Sequence, residues 1–289
     1  MTRGELISEL AVSLGARHEA RFIVEEVLGS PPPGGDRAVG AADISAIRGL
    51  ASRRRAGDPL QYVLGHWAFR SLDLLVDPRV LIPRPETEQV VEVALGVIGQ
   101  SATASPVVVD AGTGSGAIVL SLATELAPLH PGGRLWGTDA SPEALDVASA
   151  NLDRVRRQQG GAVLPVQFVQ GSWLDPLPAR LQGSVDLVVS NPPYVACAEW
   201  PDLPGEVQRE PLAALVAGDG SDGTPGLGDV EAVLGHAWRW LARPGAVVIE
   251  LAPQQAGPAV LLARAMGYCD VRVEVDLAQR PRALVGRAR

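Results

Sequence analysis

The segment VVVDAGTGSG, residues 107–116, places a short apolar strand directly before a glycine-rich loop. The residues that follow it, 117–126, are apolar enough to form a buried helix. Glycines between a strand and a helix let the chain turn tightly, and they let a ligand lie against the backbone at the positive end of the helix. The segment therefore predicts a ligand site at one end of a buried sheet.

Further apolar strands alternate with helices after this segment, which is typical of a parallel sheet buried on both faces. The pattern predicts strands at 107–109, 134–138, 166–169, 185–189 and 246–251, with helices at 117–126 and 142–156. Residues 271–275 and 283–286 predict a terminal antiparallel pair joined by a short turn. The fold class is therefore predicted to be α/β, with an open and mostly parallel sheet.

The first part of the chain has a helical pattern instead. Apolar residues recur at helical spacing over residues 3–29, with a break near Gly15. A second helix is predicted over 43–55, with Asp43 as its N-cap. These residues indicate a small helical domain.

The two parts are joined by segments with turn and strand patterns. Residues 29–35 form a loop rich in proline and glycine, and residues 62–81 alternate like a β-hairpin linker. A helix is then predicted from Pro85 to Ile98, because proline suits the first helical turn. We predict two domains, residues 1–73 and residues 74–289.

Asp139 ends the second predicted strand of the sheet. A carboxylate there can accept hydrogen bonds from both ribose hydroxyls of a nucleoside, at about 1.5–3 kcal/mol for such charge-assisted bonds. With the glycine loop it predicts a nucleotide or nucleoside cofactor. The loop also fits the relaxed dinucleotide pattern G-x-G-x-x-G/A, so S-adenosylmethionine and NAD both remain open on these features alone.

The fourth predicted strand ends in Ser190 and is followed by Asn191-Pro192-Pro193-Tyr194. Ligands of an open α/β sheet bind outside the carboxyl ends of the strands, so this tetrapeptide lies beside the cofactor loop. Two consecutive prolines fix the backbone and remove two N–H donors. The backbone carbonyls and the side-chain oxygen of Asn191 remain as acceptors.

Two rigid acceptors side by side suit a planar NH2 group. If both N–H bonds are held in one plane, the nitrogen lone pair points out of it, towards a methyl donor. Tyr194 offers a flat face against such an acceptor. A hydride-transfer enzyme has no need of this arrangement, so the tetrapeptide favours S-adenosylmethionine and methyl transfer to nitrogen.

At this point the chain resembles the HemK-type peptide chain release factor N5-glutamine methyltransferases, which are class I S-adenosylmethionine-dependent methyltransferases. The glycine loop and the tetrapeptide carry the resemblance to the amino-methyltransferases in general. The segments that narrow it are Leu81-Ile82-Pro83-Arg84-Pro85-Glu86-Thr87-Glu88, Gly171-Ser172-Trp173, Arg209-Glu210-Pro211-Leu212, Asp222-Gly223 with Gly226-Leu227, and Arg282-Ala283-Leu284-Val285-Gly286-Arg287.

The resemblance implies a Rossmann-like open sheet with an antiparallel C-terminal strand, a small N-terminal helical domain and a hairpin linker. It implies methylation of the side-chain nitrogen N5 of the glutamine in the Gly-Gly-Gln loop of bacterial class I release factors. S-adenosyl-L-methionine is then the cofactor and S-adenosyl-L-homocysteine the product. Residues 1–73 would help to dock the release factor.

The resemblance also implies the roles of the site residues. The cofactor-binding residues are expected to be Asp110, Gly112, Thr113, Gly114, Ser115, Gly116, Asp139, Trp173 and Asn191. The substrate-binding residues are expected to be Asn191, Pro192, Pro193 and Tyr194, and the catalytic ones Asn191, Pro193 and Tyr194. Glu86, Glu88 and Glu210 are further polar candidates for the pocket, for which we expect helix-start and surface roles.

Other functions share some of these motifs. A ribosomal-protein glutamine methyltransferase would have most of them, and an adenine-N6 DNA methyltransferase would use the same tetrapeptide with a flipped base stacked on Tyr194. A non-catalytic cofactor-binding protein would not need the tetrapeptide. The net charge of −8 and the pI near 5.1 disfavour a DNA substrate, and Arg53-Arg54-Arg55 is expected to be a solvated helix end.

Composition limits the remaining possibilities. No apolar run approaches the roughly 20 residues of a membrane span, and the early charges do not fit a signal peptide. The two cysteines, Cys197 and Cys269, and the four histidines have no metal-binding spacing, so we expect no metal and reduced, buried thiols. We expect a cytoplasmic monomer that contacts neither a membrane nor nucleic acid directly.

Overall fold

The structure is a computed structural model that describes residues 1–30, 38–101 and 103–289. Most of the predicted loop at 29–35 lies outside the described residues. Within the described ranges, no helix combines the length and the hydropathy that crossing a membrane requires. In the same part of the chain, no group of three His, Cys, Asp or Glu side chains is arranged to hold a metal ion.

The chain divides into two structural units. The first contains Met1–His66 together with Pro204–Arg209, and the second contains Trp67–Leu203 together with Glu210–Arg289. The division along the chain falls between His66 and Trp67, whereas the sequence pattern predicts it after residue 73. The docking function of the N-terminal region stays a prediction.

The first unit is helical. Its helices are α1 (Arg3–Leu14), α2 (Arg17–Leu28), α3 (Ala41–Arg55) and α4 (Leu60–Leu64). Gly15 ends α1 with φ +69°, which confirms the predicted break. The prediction that Asp43 is an N-cap was wrong, because α3 begins earlier and Gly40 is its N-cap. Asp43 lies instead in the first turn, where a carboxylate favours the helix dipole.

Arg53 and Arg54, at the end of α3, form ion pairs. Arg54 bonds to Glu19 at 2.7 Å and to Glu206 at 2.9 Å, and only 18% of its side chain is exposed. Arg53 pairs with Asp58 at 3.2 Å. The expectation of a solvated helix end was therefore wrong for Arg54, which holds acidic partners from two other segments of the unit.

The predicted hairpin at 62–81 is confirmed only in its centre. Strands β1 (His66–Phe69) and β2 (Leu72–Leu75) form a two-stranded sheet. Leu60–Leu64 is the helix α4, whose Leu60, Tyr62 and Val63 are buried. The apolar residues before Gly65 therefore belong to a helical turn, although their spacing also fits the alternation of a strand.

The second unit contains a seven-stranded sheet and its covering helices. After β2 come α5 (Pro85–Gly99), β3 (Val107–Ala111), α6 (Ala117–Glu125), β4 (Arg134–Asp139), α7 (Pro142–Gln158), β5 (Val166–Gln170), β6 (Val185–Ser190), β7 (Val195–Ala196), β8 (Val216–Ala217), α8 (Gly228–Trp240), β9 (Leu241–Glu250), α9 (Ala256–Ala265), β10 (Cys269–Val275) and β11 (Pro281–Ala288). Helices α8 and α9 were not predicted from the sequence.

The strand order in the large sheet is β5-β4-β3-β6-β9-β11-β10. Neighbours from β5 to β9 are parallel, and β11 runs antiparallel to both β9 and β10. This confirms the predicted α/β fold class with its terminal antiparallel pair. The short strands β7 and β8 pair separately.

Helices bury both faces of the sheet, as the apolar strands predict. On one face Val108 and Leu187 pack in a core with residues of α5, α6 and α7. On the other face Val109 and Val188 pack with residues of α8 and α9. All four valine and leucine side chains are inaccessible to solvent, so the position of β3, and of the loop that follows it, is fixed from both sides.

The two thiols are free but not buried. Cys197 is exposed in a short 3₁₀ turn after β7, and Cys269 is partly exposed at the start of β10, the edge strand of the sheet. The expectation of buried thiols was wrong because both cysteines lie where strands begin or end rather than among the central strands.

Asn151 on α7 connects the hairpin to the glycine loop. Its Nδ2 donates to the backbone oxygens of Leu75 at 3.0 Å and of Ser115 at 2.9 Å, and its Oδ1 accepts from the Leu75 nitrogen at 2.7 Å. The side chain is fully buried. One amide thus satisfies three backbone groups, one of them buried and two partly buried.

We expect Asn151→Ala to lower the free energy of unfolding by about 2–4 kcal/mol, because it leaves one buried and two partly buried backbone groups unpaired. Urea unfolding followed by circular dichroism measures this change. Asp153→Ala, at an exposed position of the same helix, is the matched control and should change stability by less than about 0.5 kcal/mol. Equal stability of the two variants would contradict the structural role of Asn151.

Candidate active site

A cavity of about 490 Å³ lies at the carboxyl ends of β3, β4 and β6. Eight of the predicted site residues line it: Gly112, Thr113, Gly114, Ser115, Asp139, Trp173, Asn191 and Pro193. The other four, Asp110, Gly116, Pro192 and Tyr194, lie in the same segments but are not part of its wall. The structure therefore brings the glycine loop and the tetrapeptide to one cavity.

The glycine loop turns through three left-handed residues. Gly112, Gly114 and Gly116 have φ of +75°, +54° and +83°, which only glycine adopts without strain. The backbone nitrogens of Gly112 and Thr113 both donate to the oxygen of Thr138, at 2.9 and 2.8 Å. These bonds hold the loop against the end of β4 and leave its backbone facing the cavity.

Asp110 supports the loop from beneath. Its Oδ2 accepts from Thr113 Oγ1 at 2.6 Å and from the Val119 nitrogen at 3.2 Å. The side chain is inaccessible to solvent, and its Oδ1 has no hydrogen-bond partner among the described residues. Burial raises the pKa of Asp110 to about 7. Its position indicates that it shapes the loop rather than contacting a ligand.

Asp139 lies on the cavity wall with both oxygens oriented by the backbone. Oδ2 accepts from the Gly114 nitrogen at 2.8 Å, and Oδ1 accepts from the Ser141 nitrogen at 2.9 Å. Burial raises the pKa of Asp139, and the backbone donors partly oppose this. Each oxygen keeps a further lone pair, so the carboxylate can accept from two adjacent hydroxyls.

Trp173 has an unusual backbone conformation on the same wall. Its φ is +47°, in the left-handed region that bulky residues rarely adopt. A Cβ added to Gly112 would lie 3.4 Å from the Trp173 ring, so the indole packs closely against the glycine loop. Strained conformations of this kind often occur at ligand sites, and the flat ring can stack on a heterocycle.

The Asn191 side chain is oriented by a chain of hydrogen bonds. Its Nδ2 donates to Thr87 Oγ1 at 3.2 Å, and that hydroxyl donates to Glu250 Oε2 at 2.7 Å. No described residue donates a hydrogen bond to Oδ1 of Asn191. Since Asn191, Thr87 and Pro193 line the cavity, Oδ1 is available there as an acceptor.

Tyr194 is held at both ends. Its hydroxyl donates to Glu250 Oε1 at 3.3 Å, and its backbone oxygen accepts from Gln255 Nε2 at 3.0 Å. Burial raises the pKa of Tyr194. The expected contact between its ring and an acceptor group stays a prediction, since Tyr194 is not part of the cavity wall.

Glu250 and Thr87 are functional candidates that the sequence analysis missed. Glu250 ends β9, is inaccessible to solvent, and lies 3.9 Å from Arg282. Burial raises the pKa of Glu250 to about 7, against the opposing effects of Thr87 and Arg282. The signal was available, because a carboxylate at the end of an apolar strand is the same feature that identified Asp139.

The expectation of a surface role for Glu210 was wrong. Glu210 is 4% exposed, accepts from the Ile82 nitrogen at 2.9 Å and pairs with Arg84. Pro211 and Pro83 line the cavity, so this carboxylate fastens two wall segments together.

Glu86 and Glu88 lie in the first turn of α5 and do not line the cavity. Glu86 is 3.4 Å from Arg280, and Glu88 accepts from the Arg70 nitrogen at 2.9 Å. Their positions agree with helix-start roles.

Comparison with known proteins identifies similar sequences. Residues 103–253 match a family model described as a methyltransferase domain. Relatives named release factor glutamine methyltransferase include those of Vibrio cholerae, 37% identical over 87% of this chain and 81% of the relative, and Gloeobacter violaceus, 42% identical over 81% and 76%. The relative from Bordetella pertussis is 37% identical over 94% of this chain and 96% of its own length.

Solved structures share the fold. A methyltransferase from Pyrococcus furiosus has a TM-score of 0.50 and 16% identity, covering 76% of this chain and 90% of that one. The hMettl16 catalytic domain, solved in complex with MAT2A 3'UTR hairpin 6, has a TM-score of 0.55 and 16% identity, covering 82% and 81%. At this identity the likeness extends to the fold alone.

We expect the free energy of unfolding to fall as pH rises from about 4.5 to above 7. The pKa of Asp110 and that of Glu250 are about 7 in the folded state, against ordinary values of 3.8 and 4.5. In this window the folded state binds more protons than the unfolded state, and each group contributes up to about 1.4 kcal/mol per pH unit. Asp276, whose pKa is lowered to about 2, changes the free energy of unfolding only below its ordinary pKa of 3.8, outside this window.

Asp110→Asn should therefore flatten the dependence of stability on pH. Urea unfolding at pH 5, 6, 7 and 8 measures the slope, with Asp153→Asn at an exposed position as the control. The same slope in Asp110→Asn, Asp153→Asn and the unmodified protein would show that Asp110 does not bind a proton on folding in this range.

Proposed function

The chain belongs to the release factor glutamine methyltransferase family, and from this premise we propose that it methylates the loop glutamine of release factors. The chain is an S-adenosylmethionine-dependent methyltransferase. The proposed acceptor is the N5 nitrogen of the glutamine in the Gly-Gly-Gln loop of bacterial class I release factors. The observation that supports this acceptor most directly is the Asn191 amide, fixed with its oxygen free at the cavity that contains Asp139 and the glycine loop.

The residues of the cavity fit the cofactor in chemistry. The carboxylate of Asp139 suits a ribose diol, the ring of Trp173 suits adenine, and the backbone of the glycine loop suits the methionine part. When bound, S-adenosylmethionine supplies a sulfonium methyl group, whose transfer forms an N–C bond, breaks the S–C bond and leaves S-adenosylhomocysteine.

The tetrapeptide supplies orientation. Oδ1 of Asn191 and a backbone carbonyl at the Pro192–Pro193 step accept the two N–H bonds of the substrate amide. These bonds fix the plane of the amide, so that the nitrogen lone pair, which is perpendicular to that plane, faces the methyl group. Holding the nitrogen near 3 Å from the methyl carbon supplies several kcal/mol, on the order of what oriented reactants gain. The acceptors also stabilise the positive charge that develops on nitrogen before its proton is lost to water.

The test is methylation of a purified release factor. We expect labelled cofactor to add one methyl group to the loop glutamine, located by mass spectrometry of the peptide that contains it. A ribosomal protein and duplex DNA are incubated in parallel. Label in either of these, with none in the release factor, would replace the proposed substrate by a ribosomal-protein glutamine or by adenine-N6.

In the same assay we expect Asn191→Ala to lower turnover by about 100-fold or more, since one oriented transition-state partner is lost. Cofactor affinity, measured by calorimetry, should stay within about threefold. Turnover near that of the unmodified protein would remove Asn191 from the reaction.

We expect Asp139→Ala to weaken cofactor binding by about 10- to 100-fold, because two charge-assisted hydrogen bonds to the ribose are lost. Isothermal titration calorimetry with S-adenosylhomocysteine measures the dissociation constant. Asp146→Ala is the matched control, since Asp146 is an exposed carboxylate on the helix that follows the same strand. Equal affinities in the two variants would rule out the ribose contact.

A further inference from the structure

A buried carboxylate behind the cavity connects the two ends of the tetrapeptide, directly at Tyr194 and through Thr87 at Asn191. Glu250 accepts from Thr87 Oγ1 at 2.7 Å, and Thr87 in turn accepts from Asn191 Nδ2 at 3.2 Å. The other oxygen of Glu250 accepts from the Tyr194 hydroxyl at 3.3 Å. Glu250 and Thr87 are 0% and 4% exposed, so solvent does not compete for these bonds.

The donor and acceptor roles in this network are interdependent. An ionised carboxylate can only accept, so the single hydroxyl proton of Thr87 must point to Glu250. The lone pairs of Thr87 then face Asn191 and require the NH2 side of its amide. As a result, Oδ1 of Asn191 is directed to the opposite side of the amide.

The alternative arrangement would oppose the reaction. If the group at position 250 donated to Thr87, the Thr87 hydroxyl could donate to Oδ1 of Asn191. The Asn191 amide would then present its NH2 group to the NH2 group of the substrate. Two donors would face each other, and neither would have an acceptor. Methyl transfer therefore depends on a partner behind Thr87 that accepts from its hydroxyl and does not donate to it.

We propose that Glu250 is a positioning residue for methyl transfer. Through Thr87, its carboxylate fixes the Asn191 amide with Oδ1 towards the NH2 group of the substrate. Its bond to the Tyr194 hydroxyl anchors the other end of the tetrapeptide. The proposal rests on the proposed function, because its kinetic test uses a release factor as the substrate. It assigns Glu250 no contact with substrate or cofactor.

Charged groups around Glu250 set its ionisation. Arg282 on β11 lies 3.9 Å from Oε1 and favours the carboxylate, although Arg282 is also shared with Asp276 at 3.4 Å. Glu86, on the same helix as Thr87, opposes ionisation, as does burial. The pKa of Glu250 is raised to about 7, so the carboxylate gains a proton just below neutral pH and the acceptor-only state is lost there.

The first experiment compares Thr87→Val, which removes the hydroxyl with little change of shape, with Thr87→Ser, which restores it. With saturating cofactor and a release factor as substrate, we expect Thr87→Val to lower kcat by about 10- to 100-fold. Thr87→Ser should recover at least about a third of kcat, and cofactor affinity should stay within about threefold in both variants. Thr124→Val, a partly buried hydroxyl on α6 away from the cavity, controls for hydroxyl removal as such.

The second experiment measures kcat against pH for Glu250→Gln, which keeps the size and an acceptor oxygen but cannot ionise. In the unmodified protein we expect kcat to fall as pH drops below about 7, and in Glu250→Gln this acidic decline should be absent. Cofactor binding by calorimetry shows that the variant is folded. An unchanged acidic decline in Glu250→Gln, or a kcat of Thr87→Val equal to that of Thr124→Val, would overturn the proposal.

A third measurement needs no substrate. With asparagine labelled by ¹⁵N, the side-chain NH2 signals of Asn191 are identified by their loss in Asn191→Asp. We expect these signals to shift between pH 6 and pH 8 in the unmodified protein and to stay constant in Glu250→Gln. Such a shift without release factor methylation would sustain the role of Glu250 and overturn the proposed function, whereas constant signals in the unmodified protein would overturn the role of Glu250.

Discussion

Carboxylates at the ends of buried strands organise the loops that form the cavity. Asp110 ends the apolar run of β3, Asp139 ends β4, and Glu250 ends β9. Each is removed from most or all solvent, which is costly for a charge unless donors surround it. The donors come from the following loop or a neighbouring segment: the glycine loop bonds to Asp110 and Asp139, and Thr87 and Tyr194 bond to Glu250. Each buried carboxylate therefore needs donors from a loop, and the bonds they make fix the geometry of that loop. The cavity depends on all three carboxylates.

The sequence was most informative where one segment carries its own pattern. The apolar runs predicted all five parallel strands, and glycines with a strand-end carboxylate predicted the ligand loop, because both signals are local. Helices α8 and α9 were missed. The residues before Gly65 were misassigned, since a short apolar run fits a strand and a buried helical turn equally well. Glu210 was expected at the surface because its partners, Ile82 and Arg84, lie more than 120 positions away in the chain.

In the candidate site, too, contacts between distant segments could not be predicted from local sequence patterns. The sequence and the resemblance correctly brought the glycine loop, Asp139, Trp173 and Asn191 to one cavity, but they could not separate residues on its wall from residues behind it. Asp110 and Tyr194 are behind it, and their bonds support the wall. Thr87 and Glu250 are 163 positions apart, and neither was singled out by spacing. A relation of this kind needs the three-dimensional fold, because only the fold shows which buried acceptor meets which donor.

The order of strands in the sheet has a consequence for biosynthesis. β11, made after β10, lies between β10 and β9, so β10 cannot join the sheet until residues 281–288 have left the ribosome. Until then β9, which ends in Glu250, has an open edge whose backbone groups can pair with another chain. In a nascent chain the edge of β9 is thus the last part of the sheet to be paired, and this interval is when chaperones would have most reason to shield it.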